Sequence, residues 1–348
     1  MAISVHPLTQ AHAPAWDAFV LAHPGGTFFH RAGWAGVLES ALGHRAHYAF
    51  TARDGVMTGV LPLGHMRSLF GNTLIAAPFC VYGGPLALDD ASAAALRAHA
   101  IALMATTGAK LVEFRERGAT APGPGPGPGW VTRSDLYVTF RKPITADHDT
   151  NMKAIPRKQR AMVRKGIQNG LQASSERSID PLYNVYAQSV RNLGTPVFGR
   201  KYFQALLDAF PDCSDVVTIR HHDTPVASVL NFYYRDEVLP YYGGGTAQAR
   251  QLAANDFMYW SVMRNAVDRG CRLFDFGRSK LGTGAYDFKR NWGFTPEPLP
   301  YQYYLGPGAT VPNLNPLNPK FRLFIAAWRR LPLPIANLLG PHIVRGLG

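Results

Sequence analysis

The sequence predicts an α/β protein made of two similar halves with mixed sheets. Three observations predict it. At 348 residues the chain exceeds one average domain and, at roughly 150 residues each, suggests two. Hairpin signals sit beside strand–helix–strand runs, which require antiparallel and parallel neighbours in one sheet. The order of elements in the first half then recurs in the second.

In the first half, Pro14 to His23 reads as a helix. The aromatic stretch from Thr27 to Trp34 seats a second helix that reaches Leu42 and is closed by Gly43. Strands follow at His47 to Ala52 and Val56 to Leu63, with Arg53-Asp54-Gly55 as the hairpin turn. Leu74 to Tyr82 is expected as a strand, Gly83-Gly84-Pro85 as a turn, and Asp89 to Thr107 as an alanine-rich helix. Lys110 to Arg115 is then the parallel partner strand. Ala121 to Gly129, APGPGPGPG, has nothing to pack and reads as an exposed extended loop. Leu136 to Arg141 is expected to be the last strand of the first half.

The repeat is the most informative feature. Val81-Tyr82-Gly83-Gly84-Pro85-Leu86-Ala87 resembles Tyr241-Tyr242-Gly243-Gly244-Gly245-Thr246-Ala247. Each is followed by a helix and a matching strand, Leu111-Val112-Glu113-Phe114-Arg115 in one half and Leu273-Phe274-Asp275-Phe276-Gly277 in the other. Gly83 and Phe114 are 31 positions apart, and Gly243 and Phe276 are 33. Unrelated crossovers sharing common glycine turns would not agree in motif, order and spacing together.

Composition narrows the function. Hydrophobic residues at 47% and charged residues at 17% support packed cores and exclude global disorder. The net charge of +13 points to a polyanionic partner, because clustered Lys and Arg attract phosphates and anionic lipids. Cys80, Cys213 and Cys271 are odd in number and far apart, which offers neither a disulfide framework nor a CxxC clip and suits a reducing cytoplasm. No basic head with an unbroken apolar run opens the chain, and no run is long enough to span a membrane. His44-x-x-His47 lacks a nearby acidic or Cys partner, so no metal is expected. Ser279 lies in no GxSxG elbow, so a hydrolase triad is unsupported.

Residues 225 to 304 carry a recognisable block. It contains Tyr241-Tyr242-Gly243-Gly244, Ala254-Asn255-Asp256 with Trp260, and Phe274-Asp275-Phe276-Gly277-Arg278-Ser279-Lys280. It ends with Gly282-Thr283-Gly284 and Tyr286 to Phe294. This block resembles the FemAB family of the GNAT superfamily, and more closely the FemAB-related proteins found beside exosortase and PEP-CTERM exopolysaccharide systems. The resemblance implies a tandem GNAT-like (acyl-CoA N-acyltransferase) fold, with domains at 1–145 and 146–305 and a basic tail at 306–348. It also implies transfer of an acyl or aminoacyl group from aminoacyl-tRNA or acyl-CoA to an amine of an envelope or exopolysaccharide precursor. No tightly bound cofactor is expected.

Amide formation needs a neutral amine, a place for oxyanion charge and clamps that position donor and acceptor. Asp275, read as the C-terminal end of an apolar strand, is the candidate base or amine-orienting group, or else a cap on the following turn. Lys289, in the family's Phe-Lys motif with Phe288, would stabilise negative charge on the acceptor or in the transition state. Arg278, Ser279 and Lys280 form a donor-rich loop for an anionic group. Gly243-Gly244-Gly245, with Tyr242 before them, would cradle a pyrophosphate at the N-terminus of the helix containing Asn255 and Trp260.

The segment from Lys153 to Lys165 has six cations and no acid, with Pro156 as a helix start. Arg157, Arg160 and Arg164 share a face at i, i+3 and i+7 and would repel one another unless an anion bridges them. Phosphate binding is the favoured role, with tRNA, a nucleotide sugar, a lipid diphosphate or coenzyme A as the source; a nucleic-acid-binding protein with a degenerate transferase fold is the competing reading. In the tail, Phe321, Phe324, Ile325 and Trp328 share one helical face, and from Pro298 to Gly348 there are five Lys or Arg and no acid. That pattern allows either packing on the body or reversible contact with the inner-membrane surface of a cytoplasmic protein.

Overall fold

The computed structural model describes residues 3–69, 71–117, 127–312 and 319–347. Two compact units emerge, Met1–Tyr137 with Pro298–Asn313 and Arg345–Gly348, and Val138–Glu297 with Leu314–Val344.

The first unit opens with strand β1 (Ser4–Pro7) and helices α1 (Ala13–Ala22) and α2 (Gly33–Leu42). Gly43, at φ 69°, takes the left-handed conformation that ends α2. Strands β2 (Arg45–Arg53) and β3 (Val56–Ser68) form the expected hairpin, with Asp54 at φ 52° and Gly55 at φ 79° in its turn. Then come β4 (Gly71–Ala76), β5 (Leu86–Ala87), α3 (Asp90–Thr107), β6 (Leu111–Phe114) and β7 (Trp130–Arg133). The side chain of Asp89 caps α3 by accepting from Ser92 N.

The second unit contains β8 (Tyr137–Pro143), α4 (His148–Ala154), α5 (Arg157–Gln168), β9 (Gln172–Glu176), α6 (Ile179–Leu193) and α7 (Arg200–Ala209). It continues through β10 (Ser214–His221), β11 (Thr224–Tyr234), β12 (Glu237–Gly245), α8 (Ala249–Leu252), α9 (Ala254–Asp268), β13 (Leu273–Lys280), α10 (Gly284–Asn291) and β14 (Pro296–Pro298). After β15 (Tyr301–Leu305), α11 (Pro319–Trp328) and α12 (Leu333–Val344) complete the chain.

The duplication is visible in the sheets. The first runs β1-β2-β3-β4-β6-β15-β7, with β5 also paired to β3, and the second runs β9-β10-β11-β12-β13-β8-β14. In each, the first four strands are antiparallel neighbours and the fourth and fifth are parallel. Two helices follow the first strand, and one long helix lies between the fourth and fifth. The protein is thus an α/β tandem GNAT fold with two mixed sheets. In the second unit, α9 packs its Ala254, Met258, Val262 and Ala266 into a core with Val229, Phe274, Phe276 and Trp292.

Three expectations change. The strand at 136–141 does not close the first half: β8 is the sixth strand of the second sheet, while β15 returns from beyond 297 to be sixth in the first. Boundaries at 145 and 305 therefore part β8 and β15 from the sheets they join; sheet membership is decided by pairing, which hydrophobic runs alone do not encode. The strand expected over 74–82 stops at Ala76, because Ala77 and Phe79 take positive φ values of 47° and 66°. Most of the Pro/Gly tract, residues 121–126, lies outside the described residues.

Gly243 and Gly244 are used for close packing. A Cβ on Gly244 would lie 2.5 Å from Ser189 Cβ, and one on Gly243 2.9 Å from Val229 Cβ. Gly244→Ala is accordingly expected to lower stability by about 1–3 kcal/mol, measured by denaturant titration.

Candidate active site

The two units treat their parallel strands differently. In both, the pair is registered over two residues only, Leu74–Val112 and Ile75–Glu113 in the first and Glu237–Leu273 and Val238–Phe274 in the second, and then diverges. In the first unit the opening is sealed from within. Tyr82-Gly83-Gly84 begins seven positions after Ile75, and the extra residues turn through Ala77 and Phe79. Gly83 and Arg115 exchange backbone hydrogen bonds. The Arg115 side chain donates to Cys80 O at 2.7 Å and to Glu113 Oε1 at 2.6 Å, and both charged residues are 4% exposed. A buried pair so committed offers neither charge to a ligand.

In the second unit Tyr242 begins four positions after Val238, so β12 continues beside β11 to Gly245 while β13 continues to Lys280. The position of Arg115 is taken by Gly277, at φ 66°. Its N–H donates to Asp275 Oδ1 at 2.6 Å, and its carbonyl accepts from Lys289 Nζ at 3.1 Å. The two predicted catalytic side chains thus hold opposite ends of one residue. Lys289 Nζ also donates to Arg278 O at 2.8 Å and lies 5.7 Å from the centre of the Phe140 ring.

Burial pushes the Lys289 ammonium down to about 7, with the nearby Asp275 charge pulling upward and Arg278 pushing further down. Two N–H groups of a neutral Nζ suffice for the two carbonyls, which leaves its lone pair free to take a proton. Asp275 is 1% exposed and stands 3.5 Å from Arg141 Nε, whose guanidinium also bonds Glu237. Asp275 is the third residue of β13, not its C-terminal end as the apolar run suggested. The left-handed Gly277 does not end the strand, and Arg278, Ser279 and Lys280 occupy the end instead.

Ser279 is 5% exposed, and its Oγ has no hydrogen-bond partner among the described residues. An orphaned hydroxyl there is a donor available to a ligand oxygen. Burial, and then the charge of Arg278, push Lys280 down to about 8.

Arg157, Arg160 and Arg164, with Ala161 and Gln168, line an open groove of about 550 Å³ on α5. No carboxylate lies within ion-pair distance of these three arginines among the described residues. The start of α5 abuts the end of α10: Pro156 Cδ lies 3.0 Å from where a Gly293 Cβ would be. Lys153 belongs to α4 and lies outside that lining, with its carbonyl accepting from Arg160 Nη1 at 3.4 Å.

Other expected ligands serve packing. Tyr242 OH is bonded to Tyr202 OH at 2.8 Å inside an aromatic cluster with Tyr186 and Phe198. Phe288 packs against Tyr259, Phe276 and Trp292, which seats α10. Asn255 Oδ1 is buried without a partner and lies 2.7 Å from where a Gly245 Cβ would be, so protein atoms occupy the space read as a pyrophosphate cradle.

Sequence reasoning missed Arg141, Glu237 and Phe140. The first two are brought to Asp275 by strand pairing, and only the alternation Val138, Phe140 inward with Arg141 opposite hinted at it. Among the described residues no cluster of His, Cys, Asp and Glu is arranged to hold a metal.

The comparisons with known proteins support an acyltransferase that carries a GNAT domain. Residues 153–290 match the sequence model of an acetyltransferase (GNAT) domain, a stretch that includes α5, Gly277 and Lys289. The solved structure of FemX superposes with a TM-score of 0.65 at 15% identity, over 87% of this chain and 97% of that one. A tandem GNAT protein from the clavulanic acid biosynthesis pathway gives 0.55 at 14% identity, over 88% and 100%. The C-terminal domain of a putative lysylphosphatidylglycerol synthetase from Agrobacterium fabrum gives 0.54 at 14% identity, over 86% and 93%. At these identities the likeness is one of fold. No curated protein matches the chain in sequence.

Proposed function

We propose that the protein transfers an acyl or aminoacyl group from a phosphate-bearing donor, aminoacyl-tRNA or acyl-CoA, to an amine of a cell-envelope or exopolysaccharide precursor of an exosortase/PEP-CTERM type of system, at the cytoplasmic face. The observation that carries this reading is Lys289, a buried amine held by Gly277 O and Arg278 O and lowered toward neutrality, at the same strand end as the orphaned Ser279 hydroxyl and in the unit whose opening no buried ion pair seals among the described residues. The acceptor nitrogen attacks the acyl carbon and the N–C bond forms. Lys289 takes the amine proton and returns it to the leaving oxygen or sulfur as the ester or thioester bond breaks. Ser279 Oγ donates to the oxyanion, and Asp275 acts through Gly277 and through its field at Lys289. The α5 arginines hold the donor phosphates.

The test is to incubate the protein with labelled acetyl-CoA or charged tRNA and a membrane-precursor extract. Label should enter the precursor fraction from one donor. Arg157→Ala/Arg160→Ala/Arg164→Ala should raise the KM for that donor and flatten its salt dependence, with kcat retained. An unchanged KM in the triple variant would remove α5 from the donor site.

A further inference from the structure

The C-terminal helices dock on the second unit by one side and leave the other apolar. Trp328 is buried, and Ile325 Cγ2 lies 2.5 Å from where a Gly194 Cβ would be. Arg329 Nη2 donates to Leu193 O, and its own carbonyl accepts from Arg191 Nη1. On α12, Ala336, Gly340 and Val344 face inward, with Val197 N and O 2.9 Å from where a Gly340 Cβ would be. Both inward faces rest on residues 191–199 and leave an outward face on each helix.

Those outward faces are oily. Leu323 is 79% exposed on α11, and Ile335, Leu338 and Leu339 are 45%, 70% and 43% exposed at i, i+3 and i+4 of α12. This is a different face from the one the tail sequence suggested. Ile325 and Trp328 are spent on docking, Phe324 is 38% exposed and stacks on Trp328, and the side chain of Phe321 lies outside the described residues.

Charge selects the occupant. The segment from Pro298 onward has five cations and no acid, and the exposed Arg322 and Arg330 have no carboxylate within ion-pair distance among the described residues. A second copy would set like charges against each other. An anionic bilayer supplies acyl chains for the leucines and phosphates for the arginines.

We propose that the outward faces of α11 and α12 form a docking surface for anionic lipid. No helix among the described residues is long and apolar enough to cross a membrane, so the contact is interfacial and reversible.

The test is co-sedimentation of the full chain with phosphatidylcholine vesicles, with and without phosphatidylglycerol, and it requires no acyl donor. The protein should bind the anionic vesicles and release as salt rises. Arg322→Ala/Arg330→Ala should weaken partitioning by about 25-fold, roughly fivefold per cation. Leu338→Glu/Leu339→Glu should abolish it, with the melting temperature unchanged because both side chains are exposed. Equal binding to neutral vesicles, full binding by the leucine variant, a lowered melting temperature in that variant, or a concentration-dependent dimer that the leucine variant abolishes would each overturn the proposal.

Discussion

Lys289→Met is expected to reduce turnover by about 10²- to 10⁴-fold, the usual contribution of a positioned proton carrier. Lys289→Arg should be no better, because a guanidinium stays charged and cannot accept the amine proton. The wild-type rate should climb as pH rises through about 7, where Lys289 loses its proton. Stability carries the same signature. The folded value of about 7 lies below the ordinary 10.5, so between those values the unfolded chain binds more protons and stability rises with pH. Lys289→Met removes that component of the slope. Parallel pH–rate profiles and denaturant titrations check both halves; a rate independent of residue 289 would exclude it from proton transfer.

Asp275→Ala is expected to cost about 3–5 kcal/mol of stability, because it leaves the Gly277 N–H unsatisfied and removes a carboxylate beside the partly buried Arg141. Asp275→Asn is the finer probe. It retains an oxygen for the Gly277 N–H but removes the charge that pulls Lys289 upward, so the midpoint of the pH–rate profile should move to lower pH. A residue serving structure alone would lower stability and leave that midpoint in place.

Much of this was legible in the sequence because it rests on local patterns. The Leu-Val-Glu-Phe and Leu-Phe-Asp-Phe strands, the glycine that closes α2 and the arginine spacing on α5 are each decided within a turn or a strand. Asp275 could be named from its place near the end of an apolar run and Lys289 from the resemblance, and they meet at Gly277. What lay hidden depends on pairing across long separations. Glu237 reaches Arg141 only because β8 joins the second sheet, and no local signal distinguishes that from a strand ending the first.

The glycine repeat misled for a related reason. Tyr-Gly-Gly appears in both halves, yet it falls inside β12 in one and beyond a left-handed turn after β4 in the other. A glycine motif records a need for close approach without saying whether the approaching atoms belong to a ligand or to the protein; at Gly243 and Gly244 they are Val229 and Ser189.

The proposed transfer needs an amine that is neutral and proton-accepting near physiological pH. Carbon-13 NMR of lysine-labelled protein, with the Lys289→Met spectrum assigning the resonance, reads that directly and needs neither donor nor acceptor. A Lys289 Cε signal that titrates with a midpoint near 7, moving lower in Asp275→Asn, is the predicted result. A midpoint near the ordinary 10.5 would contradict it.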